Sequence, residues 1–296
     1  IDSSSWKWSV SGNIGVNRNE ISDLGLLPAD FGCLGERVGY YGNSLGDHFG
    51  VGHIFLAGEA PGLFYGYVTQ GIVQKEDITE NGIKYIKQDG SVGYYQTVNK
   101  TTPVAGDVKY VDRNGDGVVD DDDRDIIGNP NPDFTYGFQT KVSWKSLSLS
   151  ASFNGVQGRD ILNVGNRYNN TPGTKSNNVT RKAFQNMWTD ENPSNLYPKS
   201  TFVVQNMVMD RYVEDGSYLR CSDITLSYVL PAKWTNKIGI KNTSVYASVK
   251  NAFVITDYSG YDPEVNSFAF DGLRPGVDMN SYPTPRSFVF GLNLTF

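Results

Sequence analysis

An acidic segment of the chain has the residue types and the spacing of a metal site. Residues 112–123 read DRNGDGVVDDDD, and their oxygen-bearing side chains recur as they do in a calcium-binding loop, with Gly117 at the sharp turn. Ca²⁺ takes about six to eight oxygen ligands, which such a loop supplies within a short stretch of chain. The predicted ligands are Asp112, Asn114, Asp116, the backbone carbonyl of Val118, Asp120 and Asp123.

This spacing predicts a structural Ca²⁺ site grafted into a β protein, because the residues on either side do not indicate two helices. Asp123 occupies the last ligand position, where calcium loops usually have Glu. The shorter side chain predicts monodentate and weaker binding. The alternative is a solvated acidic turn that holds no metal.

A second segment resembles a catalytic motif. Residues 42–46, GNSLG, match the GxSxG pattern in which Ser44 would be the nucleophile of a serine hydrolase. Its possible partners are Asp47, His48 and His53. The pattern requires a buried strand before the serine and a helix after it, whereas the flanking residues predict a glycine-rich loop. We therefore expect no catalytic residues in this chain, and the sequence identifies no substrate-binding residues.

Composition excludes some classes of protein. The 296 residues include 26 Lys and Arg against 32 Asp and Glu, a net charge of −6, so a nucleic-acid partner is not expected. An apolar run of about 18 residues, which a membrane-spanning helix needs, is missing from the sequence. The first residues from Ile1 predict no signal peptide. The two cysteines, Cys33 and Cys221, form no metal-binding motif, and whether they pair stays open.

Alternation of apolar and polar residues dominates the chain and predicts an all-β fold. In the first such segment Trp6, Trp8 and Val10 share one face, while Lys7 and Ser9 take the other. The alternating segments are residues 6–17, 134–144, 147–154, 223–228, 243–251 and 288–296. Both sandwiches and barrels show this pattern, so alternation alone does not choose between them.

The lengths of the connections favour a transmembrane barrel. Residues 145–146 and 231–242 are short links, whereas residues 18–133, 157–216 and 254–285 are long ones. If successive strands alternate in direction, all short links fall on one side, as the periplasmic turns of outer-membrane barrels do. Six strands are too few to close such a barrel. The remaining alternative is a soluble, secreted, calcium-stabilised β-sandwich that binds carbohydrate.

Five segments in order along the chain resemble one known family. They are GEAPGLFYGYVTQGIVQ (58–74), GDVKYVDRNGDGVVDDDDRDIIGNPNPDFTYGF (106–138), YLRCSDITLSYVLP (218–231), NAFVITDYSGYDPE (251–264) and YPTPRSFVFGLNLTF (282–296). On these segments the chain resembles the SusC/RagA family of TonB-dependent outer-membrane transporters. Members of the family are longer than this chain and have a plug domain inside a barrel of about 22 strands.

The resemblance implies a place and a role for the chain. Residues 1–296 would be the C-terminal part of the barrel, without the plug and N-terminal domains, and Phe296 would end an assembly signal. Residues 18–133 and 157–216 would be long extracellular loops, and the first contains the calcium segment. Within the second, residues 178–188, NVTRKAFQNMW, themselves predict a short helix. In the outer membrane of a Bacteroidetes-type bacterium, the whole protein would import oligosaccharides or oligopeptides. Its partners would be a SusD-like surface lipoprotein, the TonB complex, acting through the missing part, and membrane lipid.

Overall fold

Six long antiparallel strands form the main sheet. The structure, a computed structural model, describes residues 5–25, 33–34, 37–45, 50–171, 178–200, 207–235, 240 and 242–295. The long strands are β1 (Trp6–Gly15), β2 (Phe134–Trp144), β3 (Leu147–Gln157), β4 (Tyr218–Val229), β5 (Asn242–Thr256) and β6 (Ser287–Thr295). Each pairs with the next in this order, and β1 and β6 form the two edges. All six predicted strands are confirmed.

Two of the strands extend well beyond the alternating segments that predicted them. β4 begins at Tyr218 and β5 continues to Thr256. The registers of β4 with β3 and with β5 both shift between Cys221 and Asp223, and Asn251 has a positive φ of 52°. Such a bulge reverses which face the following residues point to, so the alternation stops while the pairing continues.

The two faces of the sheet differ in polarity. One row across the strands, each residue paired with the next, consists of Trp8, Val142, Leu149, Leu226, Ala247 and Phe290. The adjacent row on the opposite face consists of Ser9, Lys141, Ser150, Thr225, Ser248 and Val289. Because neighbouring side chains along a strand point to opposite faces, these rows define an apolar face and a largely polar face.

The apolar face is exposed. Exposed residues on it include Trp8, Val10, Leu149, Leu226, Val245, Phe253, Phe290 and Leu292. Within the described part of the chain no second sheet packs against this face, since the other sheets are small and lie in the connections. A soluble sandwich would bury these residues in a core. The packing therefore contradicts the sandwich alternative and favours a barrel wall that meets lipid.

The short and long connections lie at opposite ends of the sheet, as predicted. Lys145 and Ser146 form the two-residue turn between β2 and β3, and Lys145 has a positive φ of 52°. At the same end Trp6 stacks on Trp144 with ring centroids 5.9 Å apart. Aromatic side chains at the ends of strands are typical of membrane–water interfaces.

The long connections contain short elements that alternation did not predict. Their strands are Cys33–Leu34, Arg37–Tyr41, His53–Leu56, Leu63–Gly66, Thr69–Ile72, Ile78–Thr79, Gly82–Ile86, Val92–Tyr95, Thr97–Val98, Val108–Tyr110, Val118–Val119, Asp125–Gly128, Asp160–Asn163, Val213–Asp215 and Val277–Asp278. The α-helices are α1 (Val164–Asn170), α2 (Arg181–Asn186) and, in the short link after β4, α3 (Ala232–Thr235). The 3₁₀-helices are Lys75–Asp77, Asp121–Asp123 and Asp210–Tyr212. The predicted helix at residues 178–188 is confirmed by α2.

The hydrophobic core lies in these connections rather than against the long strands. Residues from all three long connections contribute to one cluster, which includes Phe64, Tyr110, Leu162, Met209 and Val277. The parallel pairing of Leu162 with Val277 joins two of the connections. Among the described helices, none combines the length and the apolar character that crossing a membrane requires. Cys221 is a buried free thiol, whereas the side chain of Cys33 and residue Phe296 lie outside what the structure describes.

We expect charge to be tolerated on one face of β4 only. Leu226, 46% exposed, lies on the apolar face, so Leu226→Arg should destabilise the protein in lipid by about 2–4 kcal/mol. Ser227→Arg, on the polar face one residue away, is the matched control and should change the stability little. The measurement is the folded fraction of protein incorporated in lipid, followed by its heat-modifiable mobility in gels. Equal losses from both variants would contradict the assignment of the faces.

Candidate functional site

The acidic segment forms a tight loop between a short strand and a 3₁₀-helix. It follows Val108–Tyr110 and ends in Asp121–Asp123. Asp112, 2% exposed, accepts hydrogen bonds from the backbone amides of Gly115 at 2.6 Å and Gly117 at 2.9 Å. The side chain of the first predicted ligand therefore folds back over the turn and fixes it.

The last predicted ligand closes the loop from the other end. Asp123 is fully buried. Its Oδ1 accepts from the amides of Arg113 at 2.6 Å and Asn114 at 3.3 Å, and its Oδ2 accepts from the amide of Asp120 at 2.9 Å. These bonds join the two ends of the loop. As a result, the structure brings the carboxylates of Asp112 and Asp123 into the same buried region.

Burial and charge both act on the Asp123 carboxyl. Burial raises its pKa above the usual range, and the nearby charge of Asp112 raises the pKa further, against three backbone hydrogen bonds that lower it. The negative charge of the buried Asp112 carboxylate thus disfavours the charged form of Asp123. Carboxylate oxygens are hard donors of the kind that Ca²⁺ takes, and the charge of a bound cation would offset that repulsion.

The other predicted ligands are not gathered around the same point. Asn114 Oδ1 accepts from the amide of Asp116 at 2.9 Å, and Asp116 Oδ1 accepts from the amide of Val118 at 2.8 Å. Asp120 Oδ1 accepts from the amide of Asp122 at 3.0 Å. In the part of the chain that the structure describes, no three acidic, His or Cys side chains are grouped closely enough to hold a metal. This half of the loop has the geometry of successive Asx turns.

Two tyrosines that the sequence analysis did not single out support the loop. The Tyr85 hydroxyl donates to the carbonyl of Asp112 at 2.6 Å, and the Tyr67 hydroxyl donates to Asp121 Oδ1 at 3.0 Å. Burial, together with the charges of Asp112 and Asp123, raises the pKa of Tyr85 to about 12. The alternation of Gly82–Ile86 could have placed Tyr85 on a buried face, but its contact with the loop is non-local.

A cavity of about 560 Å³ lies beside the loop. Its lining mixes apolar and charged side chains: Val68, Gln70, Ile86, Lys87, Gln88, Asp89, Val111, Asp112 and Arg113. Arg113 forms an ion pair with Asp125 across the base of the loop. The cavity therefore borders the buried Asp112 end of the loop.

The described residues around Ser44, 37–45 and 50–56, do not form a nucleophile elbow. Ser44 follows the strand Arg37–Tyr41 and forms an isolated bridge with Val51, whereas an elbow would place the serine at the start of a helix. Its Oγ donates to the carbonyl of Gly50 at 3.4 Å. His53 Nε2 lies 2.8 Å from the carbonyl oxygen of Pro275, and burial lowers the pKa of His53 to about 4. Asp47 and His48 lie outside the described residues.

Relatives of the chain are known. No family model matches the chain. Over its whole length it is 29% identical to TonB-dependent receptor P26 and 30% identical to TonB-dependent receptor P3, both of Formosa agariphila, and it spans 28% and 27% of their lengths. Over 63% of its length it is 34% identical to TonB-dependent receptor SusC of Bacteroides thetaiotaomicron, of which it spans 17%.

Solved structures share the fold. The RagAB peptide importer in its open-open state matches the whole chain with a TM-score of 0.65 and 24% identity, over 27% of the importer chain. The closed-closed state matches with a TM-score of 0.67, 24% identity and 28% of the importer chain. The all-β fold and the barrel-wall interpretation of the long strands are thus confirmed.

Gly117 should tolerate substitution less well than its neighbour Gly115. Both have positive φ, 88° and 78°, so alanine at either position should cost about 1–2 kcal/mol in backbone strain. At the buried Gly117 the added Cβ would also lie 2.4 Å from Gln96 Oε1, so the Gln96 side chain must move and give up its hydrogen bond to the carbonyl of Asn81. Gly117→Ala should therefore destabilise the loop more than Gly115→Ala. Limited proteolysis of the native protein across residues 112–123 measures the difference. Equal cleavage rates in the two variants would be inconsistent with this loop geometry.

Proposed function

Because the chain belongs to the SusC/RagA family of TonB-dependent transporters, β-barrels of the bacterial outer membrane, we propose that it is the C-terminal part of a barrel that imports nutrients. The cargo would be oligosaccharides or oligopeptides. A SusD-like surface lipoprotein would bind the outer end of the barrel, and the TonB complex would act through other parts of the whole protein. The role is transport rather than catalysis, without a nucleic-acid partner.

The observation that carries this proposal is the exposed apolar face of the six-stranded sheet. Its aliphatic and aromatic side chains would be unstable in water but suit the hydrocarbon layer of a membrane. Each edge strand, β1 or β6, has a single neighbour among the described residues. Further strands would complete the backbone hydrogen bonding of both edges, since only a closed barrel leaves none unpaired in lipid.

The opposite end of the sheet supports the proposed contact with a lipoprotein. The three long connections lie there and share a hydrophobic core. A packed unit of this kind presents a defined surface, which a partner and a cargo both need. Oligopeptides belong among the candidate cargoes because the solved relative RagAB is described as a peptide importer.

We also propose that Asp112 and Asp123 hold a structural Ca²⁺ in the loop at the long-connection end. The burial of both carboxylates and their hydrogen bonds to backbone amides of the same loop support it. On binding, Asn114, Asp116 and Asp120 would turn from their backbone amides toward the cation, and Val118 would offer its carbonyl. The ion would stiffen the surface next to the cavity of about 560 Å³.

Calcium should protect the loop, and Asp112 should be needed for that protection. We expect Asp112→Asn and Asp123→Asn to abolish the calcium-dependent resistance of residues 112–123 to proteolysis, because each removes one buried carboxylate charge. Asp122→Asn, at an exposed position of the same 3₁₀-helix, is the matched control and should retain the protection. The measurement compares cleavage in excess Ca²⁺ and in excess EDTA. Identical cleavage of the wild-type protein in both would refute the site.

Transport should depend on the gene for the protein and on inner-membrane energy. Cells carrying the gene should accumulate fluorescently labelled oligosaccharides or oligopeptides, and deletion of the gene or of TonB should abolish the uptake. A strain that produces the Leu226→Arg protein provides a control for loss of the folded barrel. Uptake unchanged by both deletions would contradict the proposed function.

A further inference from the structure

A second cavity, of about 440 Å³, lies at the long-connection end of the sheet. Helices α1 and α2 form one wall, and the chain that follows β5 and the strand Val277–Asp278 form the other. The lining residues are Asn163, Asn166, Asn169, Asn170, Thr180, Lys182, Tyr197, Ser259, Gly260, Tyr261, Asp278 and Asn280. Volumes of this order are typical of sites for small ligands.

One carboxylate joins the two walls. Glu214 Oε1 accepts from the side-chain amides of Asn163 and Asn166, each at 2.9 Å. The same carboxylate accepts from Ser259, with its backbone amide and its hydroxyl each at 2.9 Å. The N-terminal turn of α1 is therefore tied to the segment after β5, and the width of the cavity is fixed before any ligand binds.

Hydrogen bonds also hold two further lining residues, Thr180 and Asp278. The Thr180 hydroxyl, at the start of α2, donates to Asn170 Oδ1 at 2.8 Å. Asp278 is buried and accepts from the Tyr258 hydroxyl at 2.7 Å and from the amide of Ser281 at 2.9 Å. Preorganised polar groups lose little side-chain entropy when a ligand binds to them.

The chemistry of the lining favours an uncharged ligand rich in hydroxyl groups. Five of the twelve lining residues are asparagines, and a side-chain amide both donates and accepts, as a hydroxyl does. Charge comes from Lys182 and Asp278, and both Asp278 oxygens are already engaged by the protein. Among the described lining residues no aliphatic Val, Leu, Ile or Met is present. A peptide would bring apolar or charged side chains that find no matching pocket here.

Tyr261 adds an exposed aromatic ring to the lining of the cavity. It lines the cavity and is 71% exposed, so its ring is accessible to a ligand. A tyrosine offers a flat apolar surface and a hydroxyl together, which match the apolar face and the hydroxyls of a sugar ring.

We propose that this asparagine-lined cavity binds neutral oligosaccharides and is a cargo-binding surface of the transporter. The proposal rests on the proposed transport function and goes further by naming a site and a ligand class. Asn169, Tyr261 and Asn280 would contact the glycan, while Asn163 and Asn166 position the wall through Glu214.

The test is binding of the native detergent-extracted protein to an array of neutral oligosaccharides, with a tryptic digest of casein as the peptide probe. Tyr261→Ala and Asn169→Ala should each weaken glycan binding about tenfold. Tyr282→Ala is the matched control: Tyr282 is 88% exposed, lies outside the cavity and belongs to the same connection. It should bind like the wild type. Thermal stability of each variant shows whether it is folded.

The outcomes separate the site from the transport function. Glycan binding lost in Tyr261→Ala and Asn169→Ala but kept in Tyr282→Ala supports the site. Absence of binding to any glycan on the array, binding of casein peptides in place of glycans, or equal affinity in all variants overturns it. The TonB-dependent uptake assay is carried out on cells that produce the wild-type protein or one of these variants. Normal glycan binding by the cavity variants would overturn the proposed site. TonB-dependent uptake by the wild type in the same experiment would leave the transport proposal standing.

Discussion

The difference in polarity between the two faces of the six-stranded sheet is the constraint on which the rest of the structure depends. Rows such as Trp8, Val142 and Leu149 form an apolar surface that the described chain leaves uncovered. Burial of apolar surface is worth about 25 cal/mol per Å², so this face needs an apolar environment to be stable. Lipid supplies one without requiring a second sheet, and the polar face is then directed inward.

The long connections must fold in water, and the six-stranded sheet offers them little apolar surface to pack against. They bury their own apolar residues, such as Phe64 and Tyr110, and the connection after β5 is joined to β4 by ion pairs. Arg220 is buried and pairs with Asp262 at 2.5 Å and with Glu264 at 2.7 Å. A buried ion pair adds little net stability, but removal of one partner leaves an unpaired buried charge. Such a contact fixes position more than it contributes free energy.

Local sequence patterns predicted the long strands well, because each one depends only on its own alternation. The two-residue turn at Lys145 and Ser146 was predicted for the same reason. The predicted β4 and β5 are too short because the alternation ends at the bulges near Ser222 and Asn251. The position of a bulge depends on the pairing of neighbouring strands, which the local sequence does not contain. The short strands escaped prediction because their partners are distant in sequence, as Leu162 is from Val277.

The two candidate binding sites differ in the same way: one is formed by a contiguous segment, and the other by segments that are distant in sequence. The acidic loop of residues 112–123 is contiguous, so its spacing alone placed Asp112 and Asp123 among six predicted ligands, and the structure brings these two into one buried region. The asparagine-lined cavity is assembled from five separate segments, and no spacing in the sequence relates Asn169 to Tyr261 or Asn280. What unites them is the antiparallel sheet, which returns the chain to the same end after every second strand. Polar residues scattered among the long connections therefore converge at that end, and any ligand that approaches from this side meets them together.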